Sequence, residues 1–141
     1  MDYRLAPENK APAALYDGYA AVKWVVANAE TLKIDTNHLC IMGESGGAWV
    51  VGGTSILLAE RDESHLVKFQ ALLIPQVGNM YVLDNADDSF KQHELPHRMG
   101  LRQLMMLTVD DFEACKTDPY IFPNLITDEF CKKMPNTIVW T

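Results

Sequence analysis

The sequence predicts an α/β fold, a parallel β-sheet flanked by helices, built as one domain over residues 1–141. Segments in which apolar residues recur with helical spacing alternate along the chain with short, nearly continuous apolar runs. Such runs are typical of strands buried on both faces, and their alternation with helices favours parallel pairing. A length of 141 residues is that of about one domain.

The first helix is predicted from Pro12 onward, because apolar residues recur there every three or four positions. They share one helical face: Leu15, Tyr19, Val22, Val26 and Ala29. Proline suits the first turn of a helix, where its missing N–H would have no partner anyway. The stretch "IDTNH" that follows predicts a turn.

Two strands and a second helix are predicted next. The apolar run "LCIM", residues 39–42, predicts a buried strand that ends at Gly43. A helix is predicted from just after Ser45 to about Glu60. Its sheet-facing side is predicted to hold Val50, Ser55, Ile56 and Leu58. The run "KFQALLIP", residues 68–75, predicts another strand, which Pro75 ends because proline has no N–H for the ladder.

The remainder of the chain alternates irregular and regular segments. Residues 78–100 are polar and predicted to be irregular, and a short helix is predicted over residues 101–107. The stretch "DPYIFPNL" predicts a loop between prolines, and "NTIVWT", residues 136–141, predicts a third strand.

Composition narrows the class of partner. The net charge is −7, and no basic run or stripe of lysine and arginine occurs, which argues against nucleic acid. No apolar run approaches the ~20 residues of a membrane span, and the first ten residues lack the pattern of a signal peptide. The three cysteines match no zinc spacing. We expect them to be reduced, which favours a cytoplasmic location; they are Cys40, Cys115 and Cys131.

A glycine turn carries the strongest chemical pattern in the chain. The stretch "GESGG" places Ser45 between Gly43 and Gly47, after a predicted strand and before a predicted helix. A nucleophilic serine on such a bend has a strained backbone, and glycines two residues away on either side permit close packing. The start of the helix offers unpaired N–H groups, which favour a developing oxyanion. We therefore predict Ser45 as a nucleophile and the Gly46 N–H as an oxyanion donor.

Several longer stretches resemble one known family. "DYRLAPE" (Asp2–Glu8), followed by "PAALYDGYAAVKWV" and "IMGESGGA", closely resembles the hormone-sensitive-lipase-like branch of the α/β-hydrolases, the fold-3 group. "LLIPQV", "DPYIFPNL" and "MPNTIVWT" extend the resemblance over nearly the whole chain. The family usually has alanine after the serine and a third glycine after the pair, where this chain has Gly46 and Ala48.

The resemblance implies a partial α/β-hydrolase fold that lacks the N-terminal strands and the C-terminal strand and helix. It implies a serine carboxylesterase or lipase-like hydrolase of small, apolar esters, with an acyl-enzyme at Ser45 and no metal or cofactor. The family's oxyanion loop precedes "DYRLAPE", its acid follows "NTIVWT", and its histidine comes later. All three are therefore expected outside these residues, and the 141 residues alone are expected to have no ester turnover. "DYRLAPE" itself is expected to end a strand and form an ion-paired turn.

The chain also contains candidates for its own base. It has four histidines: His38, His65, His93 and His97. Asp84 or Asp88 with His97 would follow the family order of serine, acid and histidine, but no predicted strand holds that segment. His38 lies in the turn that enters the serine strand, at its far end, and His65 lies in a charged loop. The favoured interpretation is that all four are exposed or hydrogen-bonded without a catalytic role.

A zinc peptidase is one alternative function. His93, Glu94 and His97 match H-E-x-x-H, which needs both histidines on one helical face with the glutamate as base. Pro96 lies between them and would cost about 3 kcal/mol in a helix interior. Gln103 stands where a longer motif of this class has its third histidine.

A hydrolase-like protein that binds a small molecule without catalysis is the other alternative, because one fold hosts many functions. The presence of Ser45 favours an enzyme, whereas the expected acid and histidine are not among these residues. The sequence does not indicate an oligomeric state.

Overall fold

A computed structural model describes residues 1–76 and 106–141. The helices and strands are, in chain order, α1 (Ala13–Ala27), α2 (Ala29–Leu32), β1 (Cys40–Glu44), α3 (Gly46–Glu60), β2 (Phe69–Leu73), α4 (Asp128–Cys131) and β3 (Asn136–Trp140). Residues 106–108 are also helical. The predicted irregular segment 78–100, and all of the predicted helix 101–107 except its last two residues, lie outside the described residues.

The three strands form one parallel sheet in the order β1-β2-β3. The α/β class and the parallel pairing are thereby confirmed. Strand β1 runs past Gly43, where its end was predicted, because Gly43 is in register with Leu72 and Glu44 with Leu73. The backbone ladder, which needs no side chain, thus carries β1 up to Ser45.

Helix α3 lies at the centre of the described core. Eleven of its residues are buried, and it packs against both α1 and the sheet. Close approach to α1 depends on glycine: a Cβ on Gly53 would lie 2.6 Å from the Leu15 side chain, and one on Gly18 would collide with Thr54. Within the described ranges, no helix combines the length and apolarity needed to cross a membrane.

The predicted apolar face of α1 is confirmed in its first turns. Leu15 and Val22 are buried, and Tyr19 and Val26 are half-buried. Ala29 does not continue this helix, because α1 ends at Ala27 and a separate four-residue helix, α2, begins after Asn28.

A buried polar chain ties α3 to two strands. The Ser55 hydroxyl donates to Gln70 Oε1 at 2.7 Å, and Gln70 Nε2 donates to Thr137 Oγ1 at 2.7 Å. Ser55 and Gln70 are buried, so this polar pair is matched inside the core. The predicted sheet-facing position of Ser55 is thus confirmed. The chain of hydrogen bonds through Gln70 also favours one register of β2 against β3.

The prediction that the strands are covered on both faces is wrong for the described residues. Leu72, on the face toward α3, is buried, whereas Met42 is 72 %, Ile138 51 % and Trp140 69 % exposed. All five residues of β3 are exposed. Among residues 1–76 and 106–141, these apolar side chains on the second face are therefore exposed.

Candidate active site

Ser45 occupies a sharp bend between β1 and α3. Its φ of 51° and ψ of −117° lie outside the regions that L-residues prefer. Backbone of this kind costs on the order of 1–3 kcal/mol and persists only where the surroundings hold it. The Ser45 N–H donates to the Leu73 carbonyl at 2.9 Å, and the Ser45 carbonyl accepts from Ala48 N–H at 3.0 Å. The bend is therefore fixed by β2 on one side and α3 on the other.

Gly43 allows β1 to pass directly beneath the first turn of α3. A Cβ on Gly43 would lie 2.7 Å from the Ala48 nitrogen and closer still to the Gly47 carbonyl. The prediction that close packing also requires glycine at position 47 is wrong, since a Cβ there would meet nothing within 4 Å among the described residues. Close packing thus requires glycine at position 43, and the structure gives no such requirement at position 47.

The first amides of α3 are free to bind an anion. Neither the Gly46 N–H nor the Gly47 N–H donates a hydrogen bond within the described part of the chain. Helix α3 is 15 residues long, so the positive end of its dipole lies at these amides. Ser45 and Gly46 are both exposed, which leaves the bend open to a ligand.

An ion pair positions the N-terminal segment beside this bend. Arg4 donates to Asp17 three ways: from its backbone N–H at 2.9 Å, from Nε at 3.0 Å and from Nη2 at 2.8 Å. These hydrogen bonds lower the pKa of the Asp17 carboxyl and raise the pKa of the Arg4 guanidinium. The ion-paired turn expected of "DYRLAPE" is present, although residues 1–8 form no strand.

Neither described histidine can reach Ser45. His38 lies just before β1 and forms a hydrogen bond with Asp35 through Nδ1 at 2.6 Å, while His65 lies in an exposed turn before β2. Parallel strands begin at the same edge of a sheet, so both histidines are at the edge opposite the serine bend.

The remaining candidates for a base or a metal site are not described. Asp84 and Asp88 lie in the gap between residues 76 and 106, as do His93, Glu94 and His97. In the ranges on either side of that gap, no three His, Cys, Asp or Glu side chains are grouped to hold a metal ion.

Comparison with known proteins identifies the family of this chain. The sequence profile of the family described as "alpha/beta hydrolase fold" matches residues 1–141. The chain belongs to the α/β-hydrolase family. Among the curated relatives of this α/β-hydrolase is an arylesterase from Saccharolobus solfataricus, 32 % identical over 143 residues; the match covers 100 % of this chain and 44 % of the arylesterase.

Solved esterase structures share the fold. One of two fungal esterases from Rhizomucor miehei matches with a TM-score of 0.86 and 27 % identity, over 99 % of this chain and 44 % of that one. Carboxyl esterase 2 from Tuber melanosporum matches with a TM-score of 0.80 and 26 % identity, over 98 % and 44 %. These matches confirm the resemblance drawn from "DYRLAPE" and "GESGG". This α/β-hydrolase chain spans less than half the length of each of the three relatives named above.

Sequence reasoning missed one residue near the serine bend. The Tyr3 hydroxyl oxygen lies 3.9 Å from the position that a Cβ on Gly46 would occupy. Tyr3 is part of "DYRLAPE", so the motif drew attention to the segment. The motif alone did not show that this tyrosine, 42 positions before Ser45, lies beside the bend.

Proposed function

We propose that this α/β-hydrolase is a serine carboxylesterase of small, apolar esters that acts through an acyl-enzyme at Ser45. One observation carries this function: Ser45 has strained backbone with positive φ at an exposed strand-to-helix bend, followed by two amides that donate no hydrogen bond to any described residue. A nucleophilic serine needs such a bend to project its hydroxyl above the sheet. The names of the relatives, arylesterase and carboxyl esterase, support ester hydrolysis as the chemistry.

The proposed reaction has two halves. Ser45 Oγ attacks the acyl carbon, and its proton passes to a histidine, which the family resemblance places beyond Thr141. The carbonyl oxygen becomes an oxyanion that accepts a hydrogen bond from the Gly46 N–H. The alcohol leaves with the proton, and the acyl group stays on Ser45. Water then attacks the acyl carbon and gives a proton to the histidine, which returns it to Ser45 Oγ as the carboxylic acid leaves, so the Ser45 hydroxyl is restored.

The glycines of the bend have separate roles in this proposal. Gly43 lets the strand pass under α3, so that Ser45 stays at the end of β1. Gly46 supplies the oxyanion donor, and Gly47 completes the first turn of α3 with a second free amide. None of these roles requires a metal or a cofactor.

The 141 residues alone are proposed to be inactive. A serine without its base is a poor nucleophile, and loss of a triad member costs on the order of 10⁴–10⁶ in turnover. Neither His38 nor His65 can replace the base, because both lie at the opposite edge of the sheet from Ser45.

A fluorophosphonate probe tests the function on the full-length gene product. The wild type should be labelled, and Ser45→Ala should not be. Ser64→Ala is the matched control, because the buried Ser64 hydroxyl has no hydrogen-bond partner among the described residues. Hydrolysis of p-nitrophenyl acetate should fall at least about 10⁴-fold in Ser45→Ala. Labelling that survives in Ser45→Ala would remove Ser45 from the mechanism. Activity lost to a chelator and restored by zinc would instead favour the His93–His97 site.

A further inference from the structure

We propose that Tyr3 is an ester-binding residue of this site, whose hydroxyl donates a hydrogen bond to an oxygen of the bound ester. This inference rests on the proposed function of Ser45. The Tyr3 hydroxyl oxygen lies 3.9 Å from where a Cβ on Gly46 would be. Gly46 directly follows Ser45 and carries the proposed oxyanion donor. The phenol therefore lies beside the residue that an ester on Ser45 must contact.

The Tyr3 side chain is held in place by two separate sets of contacts. Its ring packs against a buried apolar cluster composed of Ala14, Leu15, Val50 and Leu57. The next residue, Arg4, is fixed to Asp17 through both its backbone N–H and its guanidinium. A binding group that is already held before the ligand arrives loses little entropy when it forms its hydrogen bond.

The Tyr3 hydroxyl is available to a ligand. Half-buried tyrosines usually find a hydrogen-bond partner. Tyr19 donates to Glu63 at 2.6 Å, and Tyr120 donates to Glu60. The Tyr3 hydroxyl, in contrast, has no partner among the residues that the structure describes. An ester oxygen beside Gly46 would provide one.

Glycine at position 46 keeps the hydroxyl uncovered. An alanine Cβ at position 46 would lie 3.9 Å from the phenol oxygen, in van der Waals contact with it. Gly46 leaves that side of the hydroxyl open to the ester. The open side at Gly46 and the phenol that has no partner among the described residues thus occur at the same place.

Steady-state kinetics on the full-length gene product test the role of Tyr3. Tyr3→Phe keeps the ring and removes only the hydroxyl, so its thermal midpoint should equal that of the wild type. We expect kcat/KM for p-nitrophenyl acetate to fall about 3- to 10-fold, the effect of one lost hydrogen bond. Tyr16→Phe is the control, because Tyr16 is exposed on α1 and is not among the residues packed against the cluster that holds Tyr3. An unchanged kcat/KM in Tyr3→Phe, or a loss that follows a lower thermal midpoint, would overturn the proposal.

A double-mutant cycle tests the link to Gly46. Alanine at position 46 should cover the phenol, so Tyr3→Phe should cost less than about 2-fold in a Gly46→Ala background. Equal losses in both backgrounds would show that Gly46 does not control access to the hydroxyl. Ser45→Ala separates this inference from the function itself. If Ser45→Ala still hydrolyses the ester, the proposed function fails; if only Ser45→Ala matters and Tyr3→Phe does not, the role of Tyr3 alone fails.

Discussion

Substitution of Gly43 by alanine is expected to displace the serine bend. The Cβ added by Gly43→Ala would lie 2.7 Å from the Ala48 nitrogen and closer still to the Gly47 carbonyl. These are backbone atoms of α3, so no side-chain rotation can relieve the overlap. The φ of Gly43 is not positive, which removes backbone strain as a second cause. The variant therefore isolates the steric demand of one methyl group.

The size of the effect follows from that overlap. Relief requires β1 and α3 to separate by about 1 Å, and overpacking of this kind costs about 1–3 kcal/mol. We expect the upper end of that range, about 3 kcal/mol in the free energy of unfolding, because only backbone can move. A displacement of about 1 Å at a reacting group costs roughly 10²-fold in rate. Activity should thus fall even at temperatures where the variant remains folded.

The assay compares three alanine variants of the full-length gene product by urea unfolding and by hydrolysis of p-nitrophenyl acetate. Gly47→Ala is the matched control, since its Cβ would meet nothing within 4 Å, and Gly46→Ala makes only an ordinary contact with Tyr3 at 3.9 Å. Alanine is a better helix former than glycine by roughly 0.5–1 kcal/mol, so neither control should lose stability. Wild-type stability and activity in Gly43→Ala would refute the steric reasoning, as would an equal loss of stability in Gly46→Ala.

Three further outcomes are expected. Arg4 lowers the pKa of the Asp17 carboxyl. The ion pair therefore stabilises the fold at pH values above the ordinary pKa of aspartate, and this stabilisation is lost as the pH falls through the lowered pKa. Asp17→Asn should therefore lower the unfolding midpoint at pH 7, and its difference from the wild type should shrink below about pH 4; a constant difference would contradict this. Gln70→Ala should lower the free energy of unfolding in urea by at least about 2 kcal/mol, because it leaves the buried Ser55 hydroxyl unpaired. Lys68→Ala, at an exposed position, is the control and should leave the free energy of unfolding unchanged. Equal losses in the two variants would argue against the buried polar chain. The isolated 141-residue polypeptide should aggregate in size-exclusion chromatography, because exposed apolar side chains cover one sheet face; a monodisperse monomer would contradict this.

The order of elements could be predicted because apolar periodicity reports local geometry. The runs at 68–75 and 136–141 enclose β2 and β3, and the spacing after Pro12 gave α1. The end of β1 could not be predicted in the same way. Gly43 lacks a side chain, so the sequence indicated a stop, but its register partner in β2 extends the strand. Strand ends depend on pairing, which is not encoded locally.

The same distinction between local and non-local information applies to the candidate site. The pattern around Ser45 predicted a bend between strand and helix, since glycine spacing within five residues is local information. The position of Tyr3 beside Gly46 depends on how the first residues pack on α1 and α3, and no local pattern carries that. Burial of the strands was predicted from apolar runs alone. Such runs indicate which side chains favour burial, but they do not indicate which segment covers them.

Three neighbouring features, and not the identity of residue 45 itself, determine the backbone conformation of Ser45. The Ser45 N–H donates to the Leu73 carbonyl at the end of β2, and the Ser45 carbonyl accepts from amides of α3. The absence of a side chain at Gly43 leaves room for the first turn of α3 beneath the bend. A strained residue persists only when its neighbours supply more free energy than the strain costs, here on the order of 1–3 kcal/mol. All three neighbours lie within the described residues. The geometry of the proposed nucleophile is therefore a property of this part of the chain, whereas neither described histidine lies where it could accept the proton of Ser45.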